Sequence, residues 1–263
     1  MRTLLLVLIA FGMLNAGLKE DVESTASSFV EDAASFISGG ILNTAGAEGG
    51  LPHFDAGLGL NLIGFKFKHP LTGDELPFPG VMPLMYGELG VFSGISLTPL
   101  INGVGAVDVM GRFMPTMSQK SYFNRAPTYY AGGIKLQILK DQLAPPTPAI
   151  SVSLMYHYFG NVDFKFDTLY TDFSLTDFSI HADVSKSLLF VTPYAGIGYD
   201  TYSLNGKYWT ASNQTKNDIA SFDGNHMRYY GGIKLSILLI KIFVEGAYIG
   251  NKTVVSLGAQ AGI

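Results

Sequence analysis

Tyr229-Tyr230-Gly231-Gly232-Ile233-Lys234-Leu235-Ser236-Ile237-Leu238 decides the fold. Ile233, Leu235 and Ile237 alternate with Gly232, Lys234 and Ser236. A period of two puts apolar side chains on one face of a strand and polar ones on the other. The stretch is also half of a repeat. Tyr129-Tyr130-Ala131-Gly132-Gly133-Ile134-Lys135-Leu136-Gln137-Ile138-Leu139 reads the same with one residue more. Each copy leads on to a Tyr-x-Gly-Asn, at 158–161 and 248–251, so each unit is one hairpin, a strand and its return.

The same alternation runs outward from these hairpins in both directions. It predicts ten strands, near 53–67, 85–97, 103–114, 128–140, 148–159, 172–185, 188–203, 226–239, 242–249 and 253–263. Most span 10–15 residues, longer than the usual 5–6 of soluble sheets and enough to cross a bilayer at a tilt. Strand one slips phase beyond Ile63, which reads as a bulge. The connections alternate long and short: 68–84 long, 98–102 short, 115–127 long, 141–147 short, 160–171 long, 186–187 short, 204–225 long. Long external loops and short periplasmic turns belong to an all-β, up-and-down antiparallel transmembrane β-barrel of about ten strands. Tyr86, Tyr129, Tyr130, Tyr158, Tyr202, Tyr229, Tyr230 and Tyr248 fall at strand ends on the expected external side, where an aromatic girdle would lie.

Composition agrees. Of 263 residues only 14% are charged, 31 are Gly, 18 Phe and 14 Tyr, there is no Cys, and the net charge is -4. Few charges and many aromatics exclude a disordered chain, and no basic patch stands out for nucleic acid. Without cysteine there is neither a disulfide framework nor a thiolate metal site.

Upstream of the strands the pattern changes. Arg2 precedes the apolar run Thr3 to Leu14, and Asn15-Ala16-Gly17 then supplies small residues. A dozen apolar residues are too few to span a bilayer as a helix, so residues 1–17 read as a cleaved signal peptide. Residues 18–46 read as a helical segment at the periplasmic mouth. Val22, Phe29, Ala33, Phe36 and Ile37 share a face at helical spacing, Glu20, Asp21, Glu23, Glu31 and Asp32 occupy the others, and Gly39-Gly40 ends the helix. The abrupt change of period there makes the helix an accessory to a barrel formed by residues 51–263.

The polar faces of the strands carry Asp55, Glu88, Asp108, Arg112, Lys135, His157, His181, Asp183, Asp200 and Lys234. In a barrel these line the lumen, and all of them but Asp200 are taken as the candidate solute-binding residues. Because some eight strands leave an interior just filled by side chains, charges of both signs are expected to pair across a ten-stranded lumen. His181-Ala182-Asp183 puts two titratable groups on one face, but lumen polarity alone accounts for them, and no catalytic residues are assigned. The five histidines are scattered, so no metal site is expected. No cofactor motif is present either: Gly57/Gly59 and Gly196/Gly198 precede no helix.

Leu51-Pro52-His53-Phe54-Asp55-Ala56-Gly57-Leu58-Gly59-Leu60-Asn61, the hairpin from Gly132-Gly133-Ile134-Lys135 to Asn161, and the closing stretch from Gly231 to Ile263 resemble a family of bacterial outer-membrane β-barrels without an assigned function. They resemble more distantly the barrels of the long-chain fatty-acid transporter family. The chain departs from the usual outer-membrane pattern by ending on Ile263 instead of an aromatic residue. The resemblance implies the outer membrane as location, a signal peptide, a monomer, and outer-membrane lipids and the barrel-assembly machinery as partners. The expected function is a narrow passive channel or binder for a small solute, hydrophobic ones included. The alternative is a structural or surface-interaction barrel whose long external loops, chiefly 204–225 with Trp209, contact partners without transport.

Overall fold

The computed structural model describes residues 2–40, 44–47, 49–68, 75–98, 102–115, 127–143, 146–166, 168–212 and 214–262. One helix, α1 (Arg2–Ser38), precedes the strands β1 (Phe54–Lys68), β2 (Glu75–Phe92), β3 (Ala106–Phe113), β4 (Thr128–Leu139), β5 (Ala149–Phe166), β6 (Leu169–Ser185), β7 (Val191–Thr210), the two-residue β8 (Asn217–Asp218), β9 (Phe222–Ile237), β10 (Ile240–Ile249) and β11 (Lys252–Gly262). Each of the ten long strands pairs antiparallel with its neighbours. β1 meets β11 from Asp55↔Gly262 to Ile63↔Val254, and that seam closes the ring. The short β8 hangs on β7. Among the described residues no helix is long and apolar enough to cross a membrane.

The expected phase holds through the walls. Lys135, Gln137, Ser151, Ser153, His181, Asp183 and Asp200 point in and are buried, while Ile134, Leu136, Ile138, Ile180, Ile197, Ile233, Leu235, Val244, Val255 and Leu257 stand exposed on the outside. A continuous apolar exterior around a closed ring has no use in water and fits lipid.

Three expectations change. The strands are longer than their alternation suggested: β2 starts at Glu75 instead of 85, and β5 and β6 run on to meet near Phe166 and Leu169. Pro77, Pro79 and Pro83 fall in the stretch 68–84 that sequence reading expected to be a long connection. Among the described residues, however, β2 upstream of Met85 pairs with β1 alone, since the β2–β3 register begins at Met85↔Phe113. An edge tolerates a residue without an N–H. Second, the tyrosine belt is split by the alternation it was read from. Tyr130, Tyr229 and Tyr248 are exposed outside, and Tyr156 and Tyr199 join them, but Tyr129 and Tyr230 are buried in the lumen. Tyr86 and Tyr202 pack against the core.

The third change concerns α1. Glu23 accepts a hydrogen bond from the Ala220 N–H in the β7–β9 connection, at 2.9 Å. Asp32 pairs with Lys252 at 2.9 Å, and the Ser35 hydroxyl donates to the Ile249 carbonyl, both at the tight β10–β11 turn. These connections lie at the end of the barrel opposite the start of β1. The helix therefore occupies the long-loop mouth, not the mouth where β1 begins, which sequence reading had expected to be its place. From Phe29 to Gly40 it is buried almost all round, because the barrel wall surrounds it. One amphipathic face could not report this, since Asp32 and Ser35 find partners in the wall and Glu31 lies against Gly250. The helix is part of the core and not an accessory.

The short-turn end is tipped with apolar residues. Leu238 is 98% and Leu189 91% exposed, with Leu143, Phe190 and Leu239 beside them. Leu189 and Leu238 sit at φ near +57° and +56°, as two-residue hairpin turns require. Above these tips a polar staple ties neighbouring turns together. Lys186 Nζ donates to Asp141 Oδ1 at 2.6 Å and to the Gln142 carbonyl at 2.6 Å, and the Ser187 N–H donates to Asp141 Oδ2 at 2.7 Å. Partial burial raises the Asp141 carboxyl, but the Lys186 ammonium and the Ser187 donors lower it more, so it lies below its ordinary 3.8. A depressed carboxylate contributes stability above its unfolded pKa and loses it as pH falls through the folded one. Asp141→Asn should therefore cost about 1 kcal/mol or less at pH 7, given its exposure, and less at pH 2. Urea titrations of wild type and variant at both pH values check this; an equal deficit at both would remove the ion pair from the account.

Candidate lumen site

The chain does not stop at the upper mouth. Gly39-Gly40 ends the helix, with Gly40 at φ +66° in the left-handed conformation that favours glycine. A Cβ on Gly40 would run into the Asn61 amide and come within 2.9 Å of the Ser256 hydroxyl. From there the segment descends the lumen. Its helix leaves carbonyls unpaired at the C-terminus, where the partial charge is negative, and the wall meets them with donors. Tyr129 Oη donates to the Ile37 carbonyl at 3.0 Å, Arg228 Nη1 to the Ser38 carbonyl, and Asn61 Nδ2 to the Gly39 carbonyl at 2.9 Å, with Arg112 Nη1 3.4 Å from the same oxygen.

Lower down, Lys135 Nζ donates to the carbonyls of Thr44 and Gly46 at 3.2 and 3.0 Å, and Lys234 Nζ lies 3.3 Å from Thr44 Oγ1. These two lysines occupy the same place in the two copies of the repeat, and they converge on one residue of the threaded segment. Lower still, Gln137 Oε1 accepts from the Ala47 N–H at 2.6 Å, and the chain leaves to form β1.

The wall charges pair behind this segment. Asp200 Oδ2 holds Arg228 at 2.9 and 3.1 Å and His226 Nε2 at 3.0 Å, with His181 Nε2 3.7 Å from the other oxygen. Lys135 pairs with Glu88 and, at 3.5 Å, with Asp108. Tyr230 donates to Asp183, Tyr194 to Glu245 at 3.0 Å, Lys241 pairs with Asp55, and Tyr129 Oη is 3.0 Å from His157 Nδ1.

Every sequence candidate is thus placed in the lumen: Asp55, Glu88, Asp108, Arg112, Lys135, His157, His181, Asp183 and Lys234. They face one another and the threaded segment. His181 and Asp183 turn to different partners, Asp200 and Tyr230, and form no catalytic pair. Among the described residues no group of three or more metal-ligating side chains occurs. Sequence reading missed Arg228, His226, Glu245, Tyr194 and Lys241. Arg228 and His226 were legible: continuing the even-numbered inward phase of Lys234, Gly232 and Tyr230 upstream leads straight to them.

Two hollows lie outside the lumen. The larger, about 900 Å³, has Gly87 and Gly111 in its floor and Leu58, Met85 and Val109 on its rim, so it faces lipid. The smaller, about 460 Å³, lies on the outer wall of the long-loop end and is lined by Tyr158, Asn161, Asp172, Asn205, Lys207 and Asp218. Near it Tyr170 and Trp209 stack with centroids 5.7 Å apart, and Lys216 sits 4.7 Å above the Trp209 ring.

No curated protein matches the chain in sequence. Among solved structures it is similar to the outer-membrane protease OmpT of Escherichia coli (9% identity, TM-score 0.43, 81% of this chain and 97% of that one). It is also similar to the translocator domain of the autotransporter NalP of Neisseria meningitidis (9%, 0.39, 94% and 96%) and to Ail, the attachment invasion locus protein of Yersinia pestis (9%, 0.34, 80% and 97%). The distant likeness to long-chain fatty-acid transporters that the sequence suggested finds no support in these comparisons. A profile described as a family of unknown function (DUF6588) matches residues 100–263, more than half of the chain, and the protein belongs to that family.

Proposed function

We propose that this protein is an outer-membrane barrel, exported by a cleaved N-terminal signal and sealed by its own N-terminal segment, which works through its long-loop surface and not as an open pore. The observation that carries the reading is the threaded segment: residues 29–40 and 44–47 fill the lumen and are bonded to wall residues at successive levels. A solute path along the lumen would have to displace Arg228, Lys135 and Arg112 from carbonyls that now satisfy them, and each buried donor left unpaired costs about 1–3 kcal/mol or more. The polar surface left over lies above the tyrosines, where the strands continue past the apolar band, and it includes the Asp172–Lys207–Asp218 cleft and the Trp209 stack. Outer-membrane lipids surround the band, and the barrel-assembly machinery is its partner during insertion.

Planar-bilayer recording tests the seal. The full-length protein should give no steady conductance, only brief and small openings, and removal of residues 18–46 should raise their frequency if the wall still closes. Large, steady, porin-like currents from the full-length protein would overturn the reading.

A further inference from the structure

We propose that the N-terminal segment runs outward through its own barrel, so that residues 17–27 are presented on the external surface of the cell; the inference rests on the outer-membrane reading above. The direction follows from the order of contacts. Ala47 bonds to Gln137, Thr44 to Lys135, Gly39 to Asn61, Ile37 to Tyr129, Asp32 to Lys252 and Glu23 to Ala220. Taken in that order, the partners climb the wall from the short-turn end to the long-loop end without a reversal. The helix then emerges: Gly17, Lys19, Glu20, Asp21, Ser24 and Ser27 are exposed, whereas Phe29 and the residues after it are enclosed. With β1 starting at the short-turn end, the chain crosses the membrane once through the lumen before it first crosses as a strand.

The arrangement carries a consequence for the apolar run Leu4 to Leu14. An arm that leaves by the outer mouth cannot stay anchored in the inner membrane on the other side of the barrel. The run must be cut from the arm before the barrel is finished, which gives the signal-peptide reading a geometric reason.

Because the chain has no cysteine, single-cysteine labelling needs no background removal. Lys19→Cys reports the arm, Gln214→Cys the long β7–β9 connection and Ser96→Cys the short-turn end; all three positions are exposed. Each full-length variant is first checked for a heat-modifiable band, then treated in intact cells with a membrane-impermeant maleimide. Lys19→Cys and Gln214→Cys should label to near completion, and Ser96→Cys only after permeabilisation. Labelling of Gln214→Cys but not Lys19→Cys in intact cells would overturn the threading while leaving the outer-membrane reading in place. Labelling of Ser96→Cys but not Gln214→Cys would overturn the orientation, and the surface presentation with it. Absence of all three labels in intact cells together with a fractionation outside the outer membrane would overturn both.

Discussion

Arg228→Met should lower the stability of the refolded barrel by about 3–5 kcal/mol, the usual result of removing one partner of a buried ion pair. The Arg228 side chain is fully buried, and its guanidinium serves two structures at once: Asp200 in the wall and the Ser38 carbonyl at the end of the plug helix. Its loss leaves a carboxylate at 0% exposure with only the imidazoles of His226 and His181 beside it and removes the cation from the negative end of a helix. Asp200→Leu combined with Arg228→Met should be less damaging than the sum of the two single changes, since no lone charge is then left. Urea titration in lipid, with all four proteins in one cycle, measures the coupling. A loss below about 1 kcal/mol for Arg228→Met, or strict additivity in the cycle, would show that the plug is held by packing alone.

Ile233→Arg should cost about 2–4 kcal/mol in lipid, whereas Thr201→Arg, also outward-facing but above the tyrosines, should cost about 0–1. Ile233 stands midway between Tyr229 and Ile237 on the exposed face of β9, and Thr201 lies beyond Tyr199 on β7. The two variants separate a lipid-facing band from a merely apolar surface, because both positions are comparably open. Equal tolerance of the two would mean that the exterior does not meet hydrocarbon at the depth the band implies.

How much of this was legible depends on what each signal measures. The period of two at Ile233-Lys234-Leu235-Ser236-Ile237 reports face, and face alone suffices to put Lys135, Asp183 and Lys234 inside. Strand length is harder, since it was judged from where alternation fades. At Pro77, Pro79 and Pro83, and again at Asn161, where φ is +56°, the pairing continues although the pattern does not. Which mouth the helix enters, and how deeply, was illegible for a different reason. Helical periodicity shows that Val22, Phe29 and Phe36 must be covered, but it is silent on what covers them. The acidic residues that seemed to mark a wet face, Glu31 and Asp32, lie against the β10–β11 turn. The repeat did carry a clue that sequence reading took as purely structural. Its two lysines occupy matched positions on β4 and β9, and matched cations on well-separated strands of one ring aim at a common centre.

The threaded segment also fixes an order of events. Connections in proteins rarely pass through a closed loop of chain, yet here residues 38–40 and 44–47 lie inside a ring whose last joint is β1 against β11. Gly40 lies against Asn61 on one side of that joint and Ser256 on the other, and Asn61 is bonded to Gly39. A finished ring would have to admit the segment end-first past Arg112, Arg228 and Lys135; an unfinished one only has to fold around it. The wall is therefore completed last, around a strand of chain already in place, and the segment acts as the former on which the first and last strands find their register.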